Sequence, residues 1–463
     1  MSAAGHLADL REAIRGSEQD YTEGPIGRAV VLLAVPMVLE MVMESVFAVA
    51  DVFYVSRLGP GAVATVGLTE TLITLVYTIA MGLSIGVTAT VARRIGEQDR
   101  EGAARAGVQA IAVGIAIAAV LGVAGAAFAP ELLGIMGASP AVIATGSRYT
   151  AVMLGGNVVI LLLFLINAIF RGAGDAAVAM RVLWLANGIN IMLAPCLIFG
   201  LGPFPQLGIT GAAIATTIGR GIGVLVQLRT LTRPGRRVTV ARRHLRLEPA
   251  AMWRLVRLSG TATLQVFVAT ASWIGLVRVL ATFGDAALAG YTIAIRIVIF
   301  ALLPSWGLGN AAATMVGQAL GARKPERAER AVWIAAGYNF AFLGSIGVIF
   351  VLGAEPIVRL FTTDRAVSQY AVNCLRIVSL GFPLYAYGMI LEQSFNGAGD
   401  TWTPTWINLG CFWLFEIPLA WALAVPFGVG PVGVFGAITA AYSMTAAVSW
   451  VLFRRGRWKL RVV

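Results

Sequence analysis

The chain has 463 residues, 58% of them hydrophobic and 13% charged, and its formal net charge is +12. Because soluble domains carry about 25% charged residues, this composition excludes an ordinary soluble protein and indicates a polytopic membrane protein. The three cysteines are scattered singly in apolar runs, which excludes a disulfide scaffold and a cysteine metal site. The two histidines, His6 and His244, lie in polar segments, so histidine-based metal or catalytic chemistry within the membrane is also excluded.

Arginine-rich segments alternate with apolar runs along the chain. The densest covers residues 229–257, and others lie at 93–105, 323–330 and 454–461. This alternation follows the positive-inside rule, by which basic loops stay in the cytoplasm. The charge is therefore explained by topology rather than by nucleic-acid binding. It predicts a multi-pass protein of the cell's inner (cytoplasmic) membrane, with both termini cytoplasmic and with membrane lipids as partners.

In chain order, a polar segment comes first and apolar runs follow. Residues 1–27 lack the apolar core of a signal peptide and are predicted to be a cytoplasmic N-terminal lead-in. Residues 231–250 are predicted to be a basic cytoplasmic linker and residues 454–463 a basic cytoplasmic tail. Twelve apolar runs are each long enough to cross a bilayer core of about 30 Å. The predicted spans are 28–56, 61–92, 104–128, 140–169, 176–200, 208–230, 251–282, 286–319, 328–352, 366–395, 402–425 and 431–453.

The first span carries three acids where a bilayer tolerates almost none, namely Glu40, Glu44 and Asp51. At about 100° per residue, Glu44 lies about 40° and Asp51 about 20° from Glu40, so all three share one face of a helix. An ionised acid at a helix centre costs about 2.5–3.5 kcal/mol, so this face is expected to line a water-filled cavity or the bundle interior. Such acids serve as proton or ion sites, and the alternative is that they are inert buried groups paired with arginines.

An internal repeat relates the two halves of the chain. Phe170–Asp175 (FRGAGD) recurs as Phe395–Asp400 (FNGAGD), and this shift of 225 positions is called the repeat offset below. The same offset superposes further pairs: Gly82 on Gly307, Gly96 on Gly321 and Arg105 on Arg330. The predicted fold class is therefore an all-α integral membrane protein with twelve transmembrane helices in two six-helix lobes, residues 28–230 and 251–453. An even number of helices per lobe makes the repeat parallel, as in transporters that alternate access around a central cavity. Each Gly-Ala-Gly-Asp turn is interpreted as a structural hairpin whose aspartate can cap the next helix.

Further polar residues within the spans are candidates for lining a substrate cavity. They are Tyr77, Asn157, Asn167, Asn187, Asn190 and Arg220 in the first half, and Arg296, Glu392 and Glu416 in the second. Arg220 is a candidate counter-ion for Glu40 or Glu44, whereas the asparagines suit interhelical hydrogen bonds equally well. Gln265 occupies the repeat position of Glu40, so the lobes differ chemically. Aromatic residues beside Glu416 suit flat or cationic organic molecules.

Several of these segments resemble one transporter family. The resemblance is to the first span and loop of multidrug and toxic compound extrusion (MATE) transporters, and it is carried by Leu33–Met37 (LAVPM), Ala50–Phe53 (ADVF) and Leu58–Pro60 (LGP). The two Gly-Ala-Gly-Asp turns add to it. The resemblance extends over essentially the whole chain, and the first span is most similar to the proton-coupled, DinF-like branch. It implies that Asp51 accepts the proton and that Asn190 stands close to it. The sequence departs at Ala194, where that branch carries a second aspartate.

Together these features predict a secondary-active antiporter that exports organic compounds, cationic or amphipathic in character, driven by proton influx with alternating access between two lobes. The predicted coupling residues are Asp51, Glu40, Glu44 and Asn190. Two alternatives stay open: a sodium-coupled exporter that uses the second-lobe acids, and a lipid or glycolipid flippase. The sequence contains neither a paired nucleophile and base nor a metal-ligand cluster, so an enzyme is not expected. No cofactor is expected beyond the coupling ion. A monomer is sufficient for this fold.

Overall fold

The computed structural model describes residues 3–17 and 19–461, and within these residues every regular element is helical. Residues 1, 2, 18, 462 and 463 of the predicted lead-in and tail, and the side chain of His6, lie outside the described part. A π-helical segment, Leu409–Glu416, joins α15 to α16, and short 3-10 turns lie at Arg242–Leu245 and Arg457–Leu460. The α-helices are α1 (Ala3–Arg15), α2 (Ile26–Ser56), α3 (Pro60–Gly96), α4 (Arg100–Ala127), α5 (Ala129–Ile135), α6 (Pro140–Gly155), α7 (Asn157–Ala173), α8 (Ala176–Phe199), α9 (Ile209–Leu231), α10 (Pro249–Ala281), α11 (Asp285–Gly321), α12 (Pro325–Arg359), α13 (Arg365–Leu380), α14 (Phe382–Gly397), α15 (Trp402–Asn408), α16 (Ile417–Ala424) and α17 (Pro431–Arg454).

Twelve stretches of the described chain are long and apolar enough to cross a membrane. Eleven are single helices or helices joined end to end, and the twelfth is the pair α13 and α14, bent by 58°. Each stretch overlaps one of the twelve predicted spans. The predicted all-α membrane fold is therefore confirmed, because spans of this length are set by local runs of apolar residues.

Two of the spans are broken at a glycine in equivalent positions of the repeat. Gly156 separates α6 from α7, and Gly381, at the repeat offset from Gly156, separates α13 from α14. A methyl group on Gly156 would lie 2.9 Å from Thr217 Oγ1, and one on Gly381 would lie 3.3 Å from Thr439 Cγ2. Both breaks therefore allow a neighbouring helix to approach the backbone closely.

A second pair of glycines repeats the same close approach between helices. A methyl group on Gly172 of α7 would lie 2.9 Å from the carbonyl oxygen of Thr88 in α3. One on Gly397 of α14 would lie still closer to the carbonyl oxygen of Ala313 in α11. The repeat offset relates Gly172 to Gly397 and Thr88 to Ala313. Small residues permit such packing between membrane helices, so the repeat predicted from the sequence extends to helix contacts.

The described chain forms two compact units, each with its own hydrophobic core. One contains residues 3–10, 19–38 and 264–461, and the other contains residues 11–17 and 39–263. The core of the first is built around residues such as Leu375 and Phe382, and that of the second around residues such as Leu165. The unit boundaries thus fall inside α1, in the segment that follows it, inside α2 and inside α10, whereas the predicted lobes divide at the linker.

Glycine contacts explain why α2 and α10 are divided. A methyl group on Gly307 would lie 2.7 Å from the backbone nitrogen of Val38, so the first part of α2 packs on α11. A methyl group on Gly82 would lie 2.5 Å from the backbone nitrogen of Thr263, so the first part of α10 packs on α3. The repeat offset relates Gly82 to Gly307 and Val38 to Thr263. The two contacts are therefore equivalent in the two halves of the repeat.

The predicted linker packs closely on α4. The Gln109 side chain donates a hydrogen bond to the Arg246 carbonyl at 2.9 Å and accepts one from the Glu248 backbone at 3.0 Å. His244 is 3% exposed, and its Nε2 lies 2.5 Å from a carboxylate oxygen of Glu101, which also pairs with Arg243. These contacts place residues 231–250 firmly within one unit.

The two Gly-Ala-Gly-Asp turns have matching backbones. Gly174 has φ 83° and Gly399 has φ 81°, a left-handed conformation that glycine adopts without steric cost. Asp175 occupies the position before α8, but its side chain makes no capping hydrogen bond. After the second turn, that position belongs to Thr401 rather than Asp400. The prediction that these aspartates cap the next helix is therefore wrong.

Each turn aspartate instead pairs with an arginine that follows the last span of its half. Arg236 lies 3.4 Å from Asp175 and Arg461 lies 3.1 Å from Asp400. The two arginines, like the two aspartates, are separated by the repeat offset. Burial raises the pKa of Asp175 above its ordinary value, and the nearby guanidinium of Arg236 offsets part of that rise. The aspartates therefore fasten the linker and the tail to the bundle, because an arginine offers them a stronger partner than a backbone N–H.

Candidate functional site

Glu40 is a buried, paired acid. Its side chain is 2% exposed, and its Oε1 accepts hydrogen bonds from Asn167 Nδ2 at 2.9 Å and from Arg171 Nη1 at 3.2 Å. Gln227 extends this network by donating to Asn167 Oδ1 at 2.6 Å. The charge of Glu40 is thus matched by a guanidinium from the last turn of α7.

Glu44, one turn further along α2, is also paired. Its Oε2 accepts a hydrogen bond from Asn187 Nδ2 at 2.9 Å, and its Oε1 lies 3.3 Å from Arg220 Nη2. Arg220 is 2% exposed, donates from Nη1 to the Tyr77 hydroxyl at 2.6 Å, and lies over the ring of Phe47 at 5.4 Å. The structure thus places the candidate counter-ion Arg220 against Glu44 and not against Glu40.

Asp51 differs from the other two acids of α2. It is half-buried and, among the described residues, makes no hydrogen bond or ion pair. Arg220 and Glu70, an acid of α3, both lie within electrostatic range of it. Asp51 is therefore the acid of this face whose charge has no direct partner.

Two of the predicted site asparagines have structural partners. Asn190 donates from Nδ2 to Thr216 Oγ1 at 2.8 Å and makes no hydrogen bond to Asp51 in the described structure. Asn157 is fully buried and donates to the Leu154 carbonyl at 2.6 Å, where it bridges the break between α6 and α7. Both amides hold helices together, the alternative that sequence reasoning had left open for them.

Arg171, Gln227 and Glu70 are the site residues that sequence reasoning missed. A signal for Arg171 was present in the repeat. Its position in the second half is occupied by Asn396, and the position of its partner Glu40 is occupied by Gln265. The acid and the arginine are therefore lost together, as expected for a buried ion pair whose members cannot be removed singly at low cost.

The second half holds its acids differently. Glu392 of α14 has a buried Oε1 without a hydrogen-bond partner in the described structure. Glu416 is 3% exposed and ends the π-helical segment, an irregularity often found at functional sites. Tyr385 and Cys411 each lie within electrostatic range of both acids. Arg296, the other predicted cavity residue of this half, is exposed on α11.

Within residues 3–17 and 19–461, no group of three or more His, Cys, Asp and Glu side chains could hold a metal ion. The acids described above are called the two carboxylate clusters below: Glu40, Glu44 and Asp51 in the first half, and Glu392 and Glu416, which share the neighbours Tyr385 and Cys411, in the second. The first combines two ion pairs with an unpaired aspartate, and the second contains two acids without a basic partner among the described residues. Such clusters can bind and release a proton or a small cation.

The family is decided by comparison with known proteins. The MatE family model matches this chain twice, over residues 36–196 and 262–422. The chain belongs to the MatE family. Members of this family are membrane transporters and not enzymes, and the family includes multidrug efflux proteins. The double match also confirms the predicted duplication, whereas the DinF-like branch stays a prediction.

Individual relatives agree with this assignment. The chain is 25% identical to the probable multidrug resistance protein YoeA of Bacillus subtilis, over 92% of this chain and 93% of that protein. It is 26% identical to a protein of Shewanella oneidensis named FAD transporter, over 86% and 88% of the two chains. It is also similar to an outward-facing structure of a multidrug resistance MATE transporter, with a TM-score of 0.88 and 26% identity over 94% of this chain and 96% of that one.

Proposed function

We propose that this MatE family transporter is a secondary-active antiporter that exports cationic or amphipathic organic compounds and is driven by proton influx. Asp51 is the coupling carboxylate in this proposal. The observation that carries it is the unequal pairing on α2: Glu40 and Glu44 each have a guanidinium partner, whereas Asp51 has none among the described residues. Glu40, Glu44 and Asn190 then support the cavity around it, and alternating access moves the substrate outward.

The physical reason lies in what protonation would cost each acid. Protonating Glu40 or Glu44 would leave a buried arginine without its counter-charge, which is costly. Protonating Asp51 breaks no ion pair. An unpaired intramembrane acid can therefore alternate between holding a proton and holding a cationic substrate, the usual role of such residues. Outside protons would displace the substrate from ionised Asp51 and complete the exchange.

The same proposal includes a location and an assembly state. Arginine-rich loops and tail support a multi-pass protein of the inner membrane with both termini in the cytoplasm. A monomer is part of the proposal, because one chain already supplies all twelve spans. We propose small organic substrates and membrane lipids as partners, no nucleic acid, and no cofactor apart from the coupling ion.

The test uses proteoliposomes containing the purified chain, with ethidium as substrate and an imposed pH gradient. The wild type is expected to move ethidium only while the gradient lasts, and a protonophore should abolish the movement. Asp51→Asn is expected to reduce transport to the level of empty vesicles. Asp51→Glu serves as the matched control, because it keeps a carboxylate at this position and breaks no ion pair, and it should keep its dependence on the gradient. Gradient-driven transport that survives Asp51→Asn would refute this role.

Sodium coupling through the second half is the second candidate. It is favoured by Glu392 and Glu416, two acids without a basic partner in the described structure, and by the buried, unpartnered Oδ1 of Asn408. Oxygen ligands of this kind suit a small hard cation. A sodium gradient imposed without a pH gradient separates the two cases. Sodium-driven transport that is lost in Glu392→Gln and Glu416→Gln, but kept in Asp51→Asn, would favour this alternative.

The relative named FAD transporter suggests an anionic substrate as a competing class. Arg220 is the residue in the first-half cluster that could meet a phosphate, since its Nε is buried and has no hydrogen-bond partner in the described structure. The ethidium assay should therefore include FAD as a competitor. Inhibition by FAD that disappears in Arg220→Gln would move the substrate class toward anionic flavins.

A further inference from the structure

A pocket of about 590 Å³ lies where α12 begins, on the side of the bundle that carries the arginine-rich segments. Four of its lining residues are basic, namely Arg323, Lys324, Arg327 and Arg330. Two are acidic, Glu23 and Glu326, so the pocket has an excess of positive charge. None of these residues belongs to the two carboxylate clusters described above.

Two of the four basic side chains are already engaged by the segment that precedes α2. Lys324 donates to the Thr22 carbonyl at 3.1 Å and lies 3.5 Å from a carboxylate oxygen of Glu23. Arg327 donates to the backbone carbonyls of three residues, Tyr21, Glu23 and Gly24, at 2.6–3.0 Å. Arg323 and Arg330 are exposed and have no hydrogen bond or ion pair among the described residues.

The repeat shows that this charge is not required by the backbone. Arg323 has φ 58°, and its counterpart at the repeat offset, Gln98, has φ 60°, so the same turn forms with an uncharged side chain. Lys324 stands where the first half has Asp99, and Arg327 stands where it has Gly102. Arg330 has an arginine counterpart, Arg105, whereas the other three positive charges of the pocket belong to the second half alone, at a turn that forms without them. Crowded cations repel each other unless an anion binds among them.

The position of the pocket indicates where that anion comes from. Only 22% of the most apolar stretch of α12 is buried, against 61% for α3, so α12 faces lipid along much of its length. A pocket at the basic end of a lipid-facing span lies at the depth of phospholipid headgroups. Basic pockets on the cytoplasmic side of membrane helices bind anionic headgroups for this reason.

We propose that the pocket lined by Arg323, Lys324, Arg327 and Arg330 binds the phosphate of an anionic phospholipid headgroup, with Arg323 and Arg330 as its free charge partners. The site is separate from both carboxylate clusters and does not depend on which ion drives transport. The bound lipid would hold the start of α12 and the segment before α2 at the membrane surface.

The experiment is native mass spectrometry of the full chain in detergent with added phosphatidylglycerol, phosphatidylcholine or soluble glycerol 3-phosphate. The test variant is Arg323→Gln with Arg330→Gln, in which the first change installs the residue that the first half carries at this turn. The matched control is Arg100→Gln with Arg105→Gln, which removes equal charge from the start of α4, the first-half equivalent of α12. Thermal unfolding of each variant in phosphatidylcholine checks that both fold.

The wild type and the control are expected to retain phosphatidylglycerol and to prefer it over phosphatidylcholine. The test variant should bind it about 100-fold more weakly, since it loses two charge-assisted hydrogen bonds to the phosphate and each contributes about tenfold to association. An equal loss of phosphatidylglycerol binding in both variants would refute a specific site in the pocket, because it would show that only the overall charge of the protein matters. Glycerol 3-phosphate that binds as tightly as the lipid would overturn the assignment to a headgroup.

Discussion

In the first half of the chain the acids lie on α2, and the amides that hold them lie on α7 and α8. Glu40 accepts from Asn167, and Glu44 accepts from Asn187. In the second half the acid and the amide have changed places between the equivalent helices. At the repeat offset, the counterpart of Glu40 is the amide Gln265 on α10, and the counterpart of Asn167 is the acid Glu392 on α14.

Hydrogen bonds from two tryptophans allow the comparison to be extended to Glu416, the other acid of the second half. The indole of Trp184 donates to the Leu39 carbonyl at 3.0 Å, and that of Trp413 donates to the Val268 carbonyl at 2.8 Å. The two donors, like the two acceptors, are separated by one helical turn more than the repeat offset. With this longer shift the equivalent of Asn187 is Glu416.

The comparison shows which properties of a duplicated bundle are constrained. Backbone contacts persist in both halves: the glycine contacts, the broken spans and the indole hydrogen bonds. The placement of charge has diverged, and it has done so by groups, because a buried acid and its arginine must change together. In the first half, two of the acids on α2 form ion pairs with arginines, and the aspartate on the same face is unpaired. In the second half, two acids have no basic partner among the described residues.

The largest expected effect comes from splitting the first ion pair. Arg171→Asn installs the second-half residue and leaves Glu40, 2% exposed, without its guanidinium. The free energy of unfolding should fall by about 3–5 kcal/mol, the usual cost of an uncompensated buried charge. Denaturant titration of the purified chain in detergent measures it.

The rescue variant makes this prediction specific. Adding Glu40→Gln to Arg171→Asn reproduces the pair found in the second half, Gln265 and Asn396, and should restore most of the lost stability. A coupling energy of at least about 1 kcal/mol is expected between two residues in direct contact. Losses that simply add would show that the pair does not exchange as a group.

The fold was predictable from the sequence because its determinants are local. Lengths of apolar runs predicted the spans, and glycine-rich turns at a constant offset predicted the repeat. The division of α2 between two units was not predictable, because it depends on Gly307 meeting Val38, residues far apart in the chain. Helical periodicity likewise placed Glu40, Glu44 and Asp51 on one face, but could not tell which acids are paired.

That distinction depends on which helices supply the arginines. Arg171 belongs to a turn motif that reads as a hairpin, and nothing local shows that its side chain reaches Glu40. Asn190 differs, because its place beside Asp51 stays a prediction of the family resemblance. The structure adds only that the side-chain amide of Asn190 donates to the hydroxyl of Thr216. Comparing the two halves position by position would have exposed the first relationship, and no sequence signal predicted the second.

Alanine at the paired glycines tests the shared backbone framework with an intermediate effect. Gly172→Ala would place a methyl group 2.9 Å from the Thr88 carbonyl oxygen, and Gly397→Ala would place one still closer to that of Ala313. Overpacking against backbone costs about 1–3 kcal/mol, so both should lower the free energy of unfolding, Gly397→Ala more strongly. Gly436→Ala, which meets nothing within 4 Å, is the control and should be neutral or slightly stabilising. The opposite order of the first two losses would contradict these helix separations.

The smallest expected effect concerns the indole hydrogen bonds, and it tests whether the one-turn shift is a true equivalence. Trp184→Phe and Trp413→Phe keep an aromatic ring but remove the donor to Leu39 and Val268. Each should lower the free energy of unfolding by about 1 kcal/mol, the net value of one hydrogen bond. Trp421→Phe is the control, since Trp421 is 54% exposed and its side chain has no hydrogen bond in the described structure.

Equal losses at Trp184 and Trp413 would support equating Asn187 with Glu416, because the same register aligns both pairs. The second-half acid cluster would then be built from the positions that supply amides to the first. If only Trp184→Phe lowered the free energy of unfolding, the shift that is one turn longer would not be supported. Glu416 would then have no first-half counterpart.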